Sequence, residues 1–371
     1  MPTASVSRKP NLLGKSAADL RVIADSLGQA PYRAQQIYHA LYAERRFDIA
    51  GMTNLPTAFR AQLAEMNTIE LPAIVQRHLS QDGAVRYVLS LASISSETDT
   101  PAAAAMIETV FMPEENRQTI CISTQAGCAV NCQFCLTATL GLIRNLTPGE
   151  ILGQVFVALD DNCTALRPQT NVVLMGQGEP LLNYDAVLAA LRILLDPKGA
   201  GISPKHVTLS TSGIIPGIER LATEPVRPKL AISLNASNDR QRDQIMPINR
   251  KYPMEELLEA CRRYPMRTWE RLTFEYVLLG GFNDAAEDAR RVAKLLTNLR
   301  AKVNLIPWNP GKLPFSEPSP EQIENFRRIL SEKGVPTFVR YSRGQDVMAA
   351  CGQLALLYSA GTPGLAQLTG Q

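Results

Sequence analysis

Gly127-Cys128-Ala129-Val130-Asn131-Cys132-Gln133-Phe134-Cys135 is the stretch that decides how this chain is read. Three residues separate the first two cysteines, two separate the second pair, and an aromatic stands directly before the last. Three thiolates on one short loop can hold three irons of a 4Fe–4S cluster. The fourth iron then has no protein ligand and is open to a substrate. A structural zinc site normally supplies four ligands and closes. No fourth Cys or His stands nearby at zinc-like spacing, since the only histidines are His39, His78 and His206. The cluster is therefore preferred over a zinc knuckle and over thiols that merely pack.

Composition frames that loop. At 371 residues the chain can hold one large domain, a smaller one and a sizeable core. Hydrophobic content of 45% with 20% charged residues is ordinary for a soluble globular protein. A net charge of +3 permits nucleic-acid binding without arguing for it, because a basic footprint is usually stronger. Seven cysteines in this length do not suggest a disulfide framework. Four of them fall within Cys121–Cys135, which points to metal or redox chemistry in a reducing compartment. Residues 1–10 are polar and lack the apolar core of a secretory signal. No run of about 18 apolar residues announces a membrane span. A cytoplasmic enzyme is the expectation.

Upstream of the loop, residues 16–66 read as helical. Ser16 can cap a helix carrying Leu20, Val22, Ile23 and Leu27 that ends at Gly28. Pro31 opens a second helix with Ile37, Leu41 and Tyr42 on one face, and a third spans about 56–66. Through residue 80 this part holds nine Lys/Arg against six acids, which equals the whole net charge. That charge suits either a solvated surface or an RNA-contacting module. Residues 72–93 read as a β-hairpin turning at Gln81-Asp82-Gly83. Residues 94–104, rich in Ser, Thr, Pro and Ala, read as a loop or linker.

From Met106 onward strands and helices alternate. Strands are expected at 118–123, 171–175, 207–210, 229–234, 272–278 and 303–307. Helices are expected from the capping box Thr147-Pro148-Gly149-Glu150, then at 184–195, 218–223, 254–264, 285–299 and 320–333. This alternation argues for a parallel sheet. A second motif, Met175-Gly176-Gln177-Gly178-Glu179-Pro180, follows the second of these strands. It is no dinucleotide loop, because Leu181 stands where a third glycine is required. One strand after three clustered cysteines, it resembles the "GGEP" motif of the radical S-adenosylmethionine (SAM) superfamily. There the open iron chelates the amino and carboxylate groups of SAM. The resemblance implies an α/β fold, a partial (β/α)6 barrel, here with a small N-terminal helical domain. It also implies cofactor contacts at Gly178, Glu179, Ser210, Ser233, Leu234, Asn235 and Asn309, at strand ends where ligands bind in barrels. The alternative at each strand end is a simple turn.

The stretches "CAVNCQFC", "NLTPGEILGQV", "MGQGEP" and "AACGQL" together resemble the RlmN family of radical SAM adenine methyltransferases acting on 23S rRNA and tRNA. The Cfr group is its sister. The likeness runs to about Leu354. One departure is Asn235, where the family usually has His. The family mechanism, carried onto this chain, makes Cys351 the methyl carrier, Cys121 its resolving partner and Glu108 the base for the ring proton. It implies two SAM per turnover, an S-methylcysteine intermediate, a transient disulfide, an electron donor such as flavodoxin and a monomeric protein away from membranes. It divides the chain into an RNA-binding accessory domain (1–70), a hairpin and linker (71–105), a barrel (106–345) and a C-terminal segment (346–371). Cys163 and Cys261 match no motif and read as buried structural thiols. Arg262, Arg263, Arg267 and Arg271, near Tyr264 and Trp269, suit either RNA contact or a solvated helix face. Carbon 2 of adenosine is the expected target. Carbon 8, in the manner of the Cfr group, and an iron–sulfur RNA-binding protein without methyl transfer are the alternatives.

Overall fold

In a computed structural model, residues 9–91, 105–310 and 313–354 are described. The N-terminal apolar spacing becomes three helices, α1 (Ala17–Ser26), α2 (Tyr32–Tyr38) and α3 (Thr57–Met66). Ser16 and Asp19 form a capping box at the start of α1, satisfying two orphan amide groups. α2 runs on into a π-helical turn, His39–Ala43. Leu20, Ile37, Leu41, Phe59 and Leu63 face inward and share one core with the rest of the molecule. Tyr38 ties this module to the larger part, its hydroxyl donating to Asp196 at 2.9 Å.

The hairpin forms as expected from β1 (Ala73–Leu79) and β2 (Val85–Ser90). Its turn closes where the Ser80 amide donates to the Ala84 carbonyl at 2.8 Å. The linker at 94–104 falls outside the described residues. β3 (Met106–Pro113) then pairs antiparallel with β2 and with β4 (Arg117–Cys121). It is not part of the alternation expected from Met106 onward.

β5 (Gln125–Gly127) and β6 (Leu142–Asn145) form a separate two-stranded sheet flanking the cysteine loop. Parallel pairing starts at β4 and continues through β7 (Gln169–Leu174), β8 (Val207–Thr211), β9 (Lys229–Ser233), β10 (Leu272–Leu278), β11 (Ala301–Pro307) and the short β12 (Thr337–Val339). The connecting helices are α4 (Pro148–Asp161), α5 (Tyr184–Leu195), α6 (Ile215–Ala222), α7 (Asp239–Ile245), α8 (Met254–Arg263), α9 (Ala286–Leu295) and α10 (Pro320–Glu332). This is the expected partial barrel: six strand–helix units from β4 to α10, with β1 and β12 at opposite ends of the sheet. Val172, Leu209, Ile232, Phe274 and Val303 are at most 1% exposed and bind the helices to the sheet. Each such side chain contributes about 1.5–3 kcal/mol on burial.

After β12 the chain crosses to the hairpin. Asp82 Oδ2 accepts from Arg343 Nε at 2.7 Å and from the Gly344 amide at 3.0 Å. Asp346 accepts from Ser80 Oγ at 2.5 Å and from the Gln81 amide at 3.0 Å. The hairpin turn thus holds the segment that carries Cys351. No helix among the described residues is long and apolar enough to cross a membrane.

Candidate active site

The cysteine loop is anchored at both ends. The Cys128 amide donates to the Gly141 carbonyl at 2.9 Å, and the Cys135 amide to the Cys132 carbonyl at 3.1 Å. Gly127 is required at its base: φ is +75°, and a Cβ would lie 1.8 Å from the Gly141 oxygen. Cys128, Cys132 and Cys135 line one cavity of about 980 Å³ at the C-terminal ends of the strands. Burial pushes the Cys128 thiol up to about 11 and raises Cys132 and Cys135 as well. Such thiols ionise when a metal takes the proton's place. Among the described residues no three Cys, His, Asp or Glu side chains converge on a single-ion site. Three thiols on one short loop, all lining one cavity, fit a cluster in which each binds a different iron.

Across the cavity, Gly178 and Glu179 form part of the wall. A Cβ on Gly178 would lie 2.5 Å from that of Gln125, so the turn tolerates only glycine against the neighbouring chain. Glu179 Oε2 accepts from the Ser212 amide at 2.7 Å and its hydroxyl at 2.8 Å, while Oε1 accepts from the Leu181 amide at 3.0 Å. Burial raises its pKa and these donors oppose the rise. Ser210, Ser233, Asn235 and Asn309 line the same cavity. Leu234 does not; it is fully buried below the surface of the cleft.

Asn235 has φ +56°, a left-handed conformation that Asn tolerates. Its Oδ1 accepts from the Val277 amide at 2.9 Å and its Nδ2 faces Met246 Sδ at 3.3 Å. Asn309 Nδ2 donates to Ser342 Oγ at 2.9 Å and to the Cys351 carbonyl at 3.1 Å, so this amide holds the C-terminal segment. The segment is tied to the cysteine loop too: the Leu136 amide donates to the Gly352 carbonyl at 2.7 Å and Thr137 Oγ1 to the Leu354 carbonyl at 2.5 Å.

Cys351 lines this cavity and also a second one on the far side of its own segment, where Cys121 joins it. Its residue surface is exposed, yet the surrounding walls, then Glu275 and Cys135, raise its thiol to about 12. Cys121 is buried against Ala349, Leu354 and Val110; that burial, then Cys351, raises its thiol further. Glu108 lines neither cavity. It is fully buried on β3, with Arg86 Nη1 donating to its Oε1 at 2.7 Å. Strand alternation nonetheless puts Glu108 on the face of β3 shared with Val110, the face that meets Cys121.

Two functional candidates escaped the sequence reading. Glu275 lies in mid-strand, raised by burial and hydrogen-bonded by Ser210 Oγ at 2.6 Å, and lines both cavities. Its signal was a lone charge inside the apolar strand β10. Arg242, on α7, is wholly buried and donates to the carbonyls of Ser212 (2.6 Å), Ser233 (3.0 Å) and Leu234 (3.1 Å) and to Asn249 Oδ1 (2.9 Å). It clamps two of the strand ends that form the cavity.

One expectation is corrected and one alternative is favoured. Cys163 is exposed, because it follows the end of α4, whereas Cys261 is buried as expected. Arg262 and Arg263 are paired with Glu259 and Glu219, and Tyr264 is only 3% exposed, so this patch is largely a neutralised helix face.

The fold and the cysteine-lined cavity define a radical SAM protein. Residues 122–296 match the family model described as the radical SAM superfamily, and residues 10–69 match the ribosomal RNA large subunit methyltransferase N-terminal domain. A crystal structure of a radical SAM methyltransferase from Sphaerobacter thermophilus superimposes with a TM-score of 0.85 at 43% identity, covering 93% of this chain and 99% of that one. A probable dual-specificity RNA methyltransferase RlmN of Koribacter versatilis is 46% identical over 348 residues, 89% of this chain and 97% of that protein. The dual-specificity RNA methyltransferase RlmN of Anaeromyxobacter dehalogenans is 45% identical over 362 residues, 95% of this chain and 94% of its own. The chain belongs to the RlmN family.

Proposed function

We propose that this chain is a cytoplasmic, SAM-dependent RNA methyltransferase that methylates carbon 2 of adenosine in 23S rRNA and tRNA. The observation that carries the proposal is the position of Cys351, on a wall between the cysteine-lined cavity and the cavity that contains Cys121. A methyl carrier needs access to donor and acceptor on opposite sides, and a binding protein needs neither thiol.

Cys128, Cys132 and Cys135 would hold the cluster. The wall from Gly178 to Glu179, with Ser210, Ser233 and Asn235, would hold SAM. When bound, cluster and SAM supply the methyl group and, on reduction by a donor such as flavodoxin, a hydrogen-abstracting radical. Two SAM are consumed per turnover, one for each of these ends. The Cys351 thiolate accepts the methyl group after losing its proton. The methylated sulfur, stripped of one hydrogen, is then positioned to bond the ring carbon from the wall. The odd-electron adduct would lose its ring proton and pass one electron to a one-electron acceptor such as the oxidised cluster; the Cys121 thiolate then attacks the Cys351 sulfur, leaving a disulfide between the two, and the released carbon takes up a proton to become the methyl group. Glu108 takes the ring proton, for which its carboxylate must exchange Arg86 for the incoming proton. Residues 1–70 serve as an RNA-binding accessory domain, and the protein works as a monomer.

The test is mass spectrometry of nucleosides from unmodified 23S rRNA and tRNA, after anaerobic incubation with reconstituted protein, SAM and reductant. 2-Methyladenosine in either RNA is the expected product. 8-Methyladenosine would move the target atom, and no methylated adenosine from protein that cleaves SAM would overturn the substrate.

A further inference from the structure

The second cavity runs from the starts of β4, β9 and β11 along the inner face of the sheet to the segment that follows β12, holds about 1550 Å³ of space open to solvent, and is lined by cations. Arg117 starts β4, Lys229 starts β9, Lys302 lies at the start of β11, and Arg340 follows β12. Three acids lie near them. Glu114 is taken by Arg117 at 2.6 Å, Glu275 lies deep in the cavity, bonded by Ser210, and the buried Glu270, which acts on Lys229, accepts from the Arg267 amide at 3.1 Å. Lys229, Lys302 and Arg340 form no ion pair with any described carboxylate. Burial and the neighbouring cations hold both lysines below the ordinary lysine range. A fold that gathers uncompensated positive charge in a concave space stores repulsion, which an anion relieves.

The rim adds ring surfaces. Phe338 is 46% exposed, with Lys302 Nζ 5.9 Å and the Arg340 guanidinium 5.6 Å from its ring centre. Tyr341, 69% exposed, lies beside them. Cations around exposed aromatic rings suit unstacked nucleotides, whose phosphates and bases they can engage together. From the strand starts to Cys121 is about 13 Å at the rise of a β-strand, four residues along β4. A ligand must therefore be longer than a phosphate to touch both the cations and the thiols.

Building on the methyltransferase reading, we infer that this chamber is the RNA-binding subsite. RNA phosphates flanking the target adenosine sit on Lys229, Lys302, Arg340 and Arg117, and the extruded base reaches Cys351 from the side opposite SAM. The barrel is then used from both ends, with the C-terminal segment as the partition.

The experiment measures binding of an unmodified tRNA transcript at several salt concentrations. It compares the native protein with a Lys229→Gln/Lys302→Gln/Arg340→Gln variant, with iron content and circular dichroism as checks on folding. Each lost phosphate contact should lower the slope of log K against log salt by about 0.7–0.9, so the triple variant loses about 2–3 of slope and at least about tenfold in affinity. In the unaltered protein, tRNA should also protect Lys229 and Lys302 from amine acetylation read by mass spectrometry. An unchanged slope, or lysines labelled equally with and without bound tRNA, overturns the subsite while leaving the methyltransferase reading intact. Failure of the native protein to methylate any RNA overturns that reading instead, and the subsite with it.

Discussion

Replacing Gly127 by Ala should strip the cysteine loop of its iron while leaving the barrel folded. The left-handed backbone at this residue costs an L side chain about 1–2 kcal/mol. The steric term is larger. A Cβ would stand 1.8 Å from the Gly141 oxygen, where 3.0 Å is the practical floor, so β5 and β6 must part by at least about 1.2 Å. The obstacle is a backbone carbonyl and cannot rotate aside. That same carbonyl accepts the Cys128 amide, so the displacement passes directly to the first thiol of the loop. Metal–ligand distances tolerate about 0.2 Å, several times less than the required shift. The β5–β6 pair is separate from the ten-stranded sheet, which confines the damage. After anaerobic reconstitution, iron and sulfide per chain should fall at least about tenfold, with far-ultraviolet circular dichroism unchanged. Gly334→Ala, after α10 and remote from the loop, is the paired control: φ there is +80°, but a Cβ meets nothing within 4 Å, so it carries only the conformational cost and should retain iron. Native iron content in Gly127→Ala would refute the claim that close approach at this glycine sets the position of the ligand.

The two thiols of the partition should behave differently. Cys351→Ala should abolish methyl transfer, whereas Cys121→Ala should accumulate a covalent protein–RNA adduct visible on a denaturing gel; absence of that adduct would count against the resolving role. Arg242→Met should destabilise the fold by about 3 kcal/mol in denaturant titration, because buried carbonyls of Ser212, Ser233 and Leu234 lose a charged donor. Asp82→Ala should lower turnover with iron content intact, since it releases Arg343 and Gly344 and loosens the segment bearing Cys351. Burial alone would raise the Asp82 carboxyl, but hydrogen bonds from Ala84, Arg343, Gly344 and Ser80 outweigh it and hold the group at about 2. A depressed folded-state value means that the contact is fully present above the unfolded carboxylate range, near 3.9. It is lost only as pH falls through about 2. Protease sensitivity of residues 344–354 should therefore be flat between pH 8 and 5, and release of the segment within that window would contradict the assignment.

What could be read from the sequence was local. The cysteine loop and the turn from Gly176 to Glu179 announce themselves because their chemistry is concentrated in a few adjacent residues. The strand–helix alternation is equally local, which is why the barrel could be expected. α7 was missed because Asp239-Arg-Gln-Arg-Asp-Gln has no apolar face, and its burial rests on Arg242 finding backbone carbonyls from two other strands. The antiparallel β3 was missed because pairing direction is a tertiary choice. The engagement of Glu108 by Arg86 across β2 and β3 has the same origin. The basic chamber leaves no sequence signal at all: its cations are scattered from Arg117 to Arg340 and meet only when the barrel curls. Arg262 and Arg263, which are adjacent, looked more like a patch than they are, because Glu219 lies more than 40 positions away.

The latch between the hairpin turn and the C-terminal segment joins residues more than 260 positions apart. During synthesis the hairpin emerges long before its partner, and every strand of the barrel is made between the two. Until that partner arrives, the partition carrying Cys351 does not exist and the two cavities are one continuous passage through the nascent barrel. The site is thereby assembled in order, because the cysteine loop is complete before the segment that closes over it has been made.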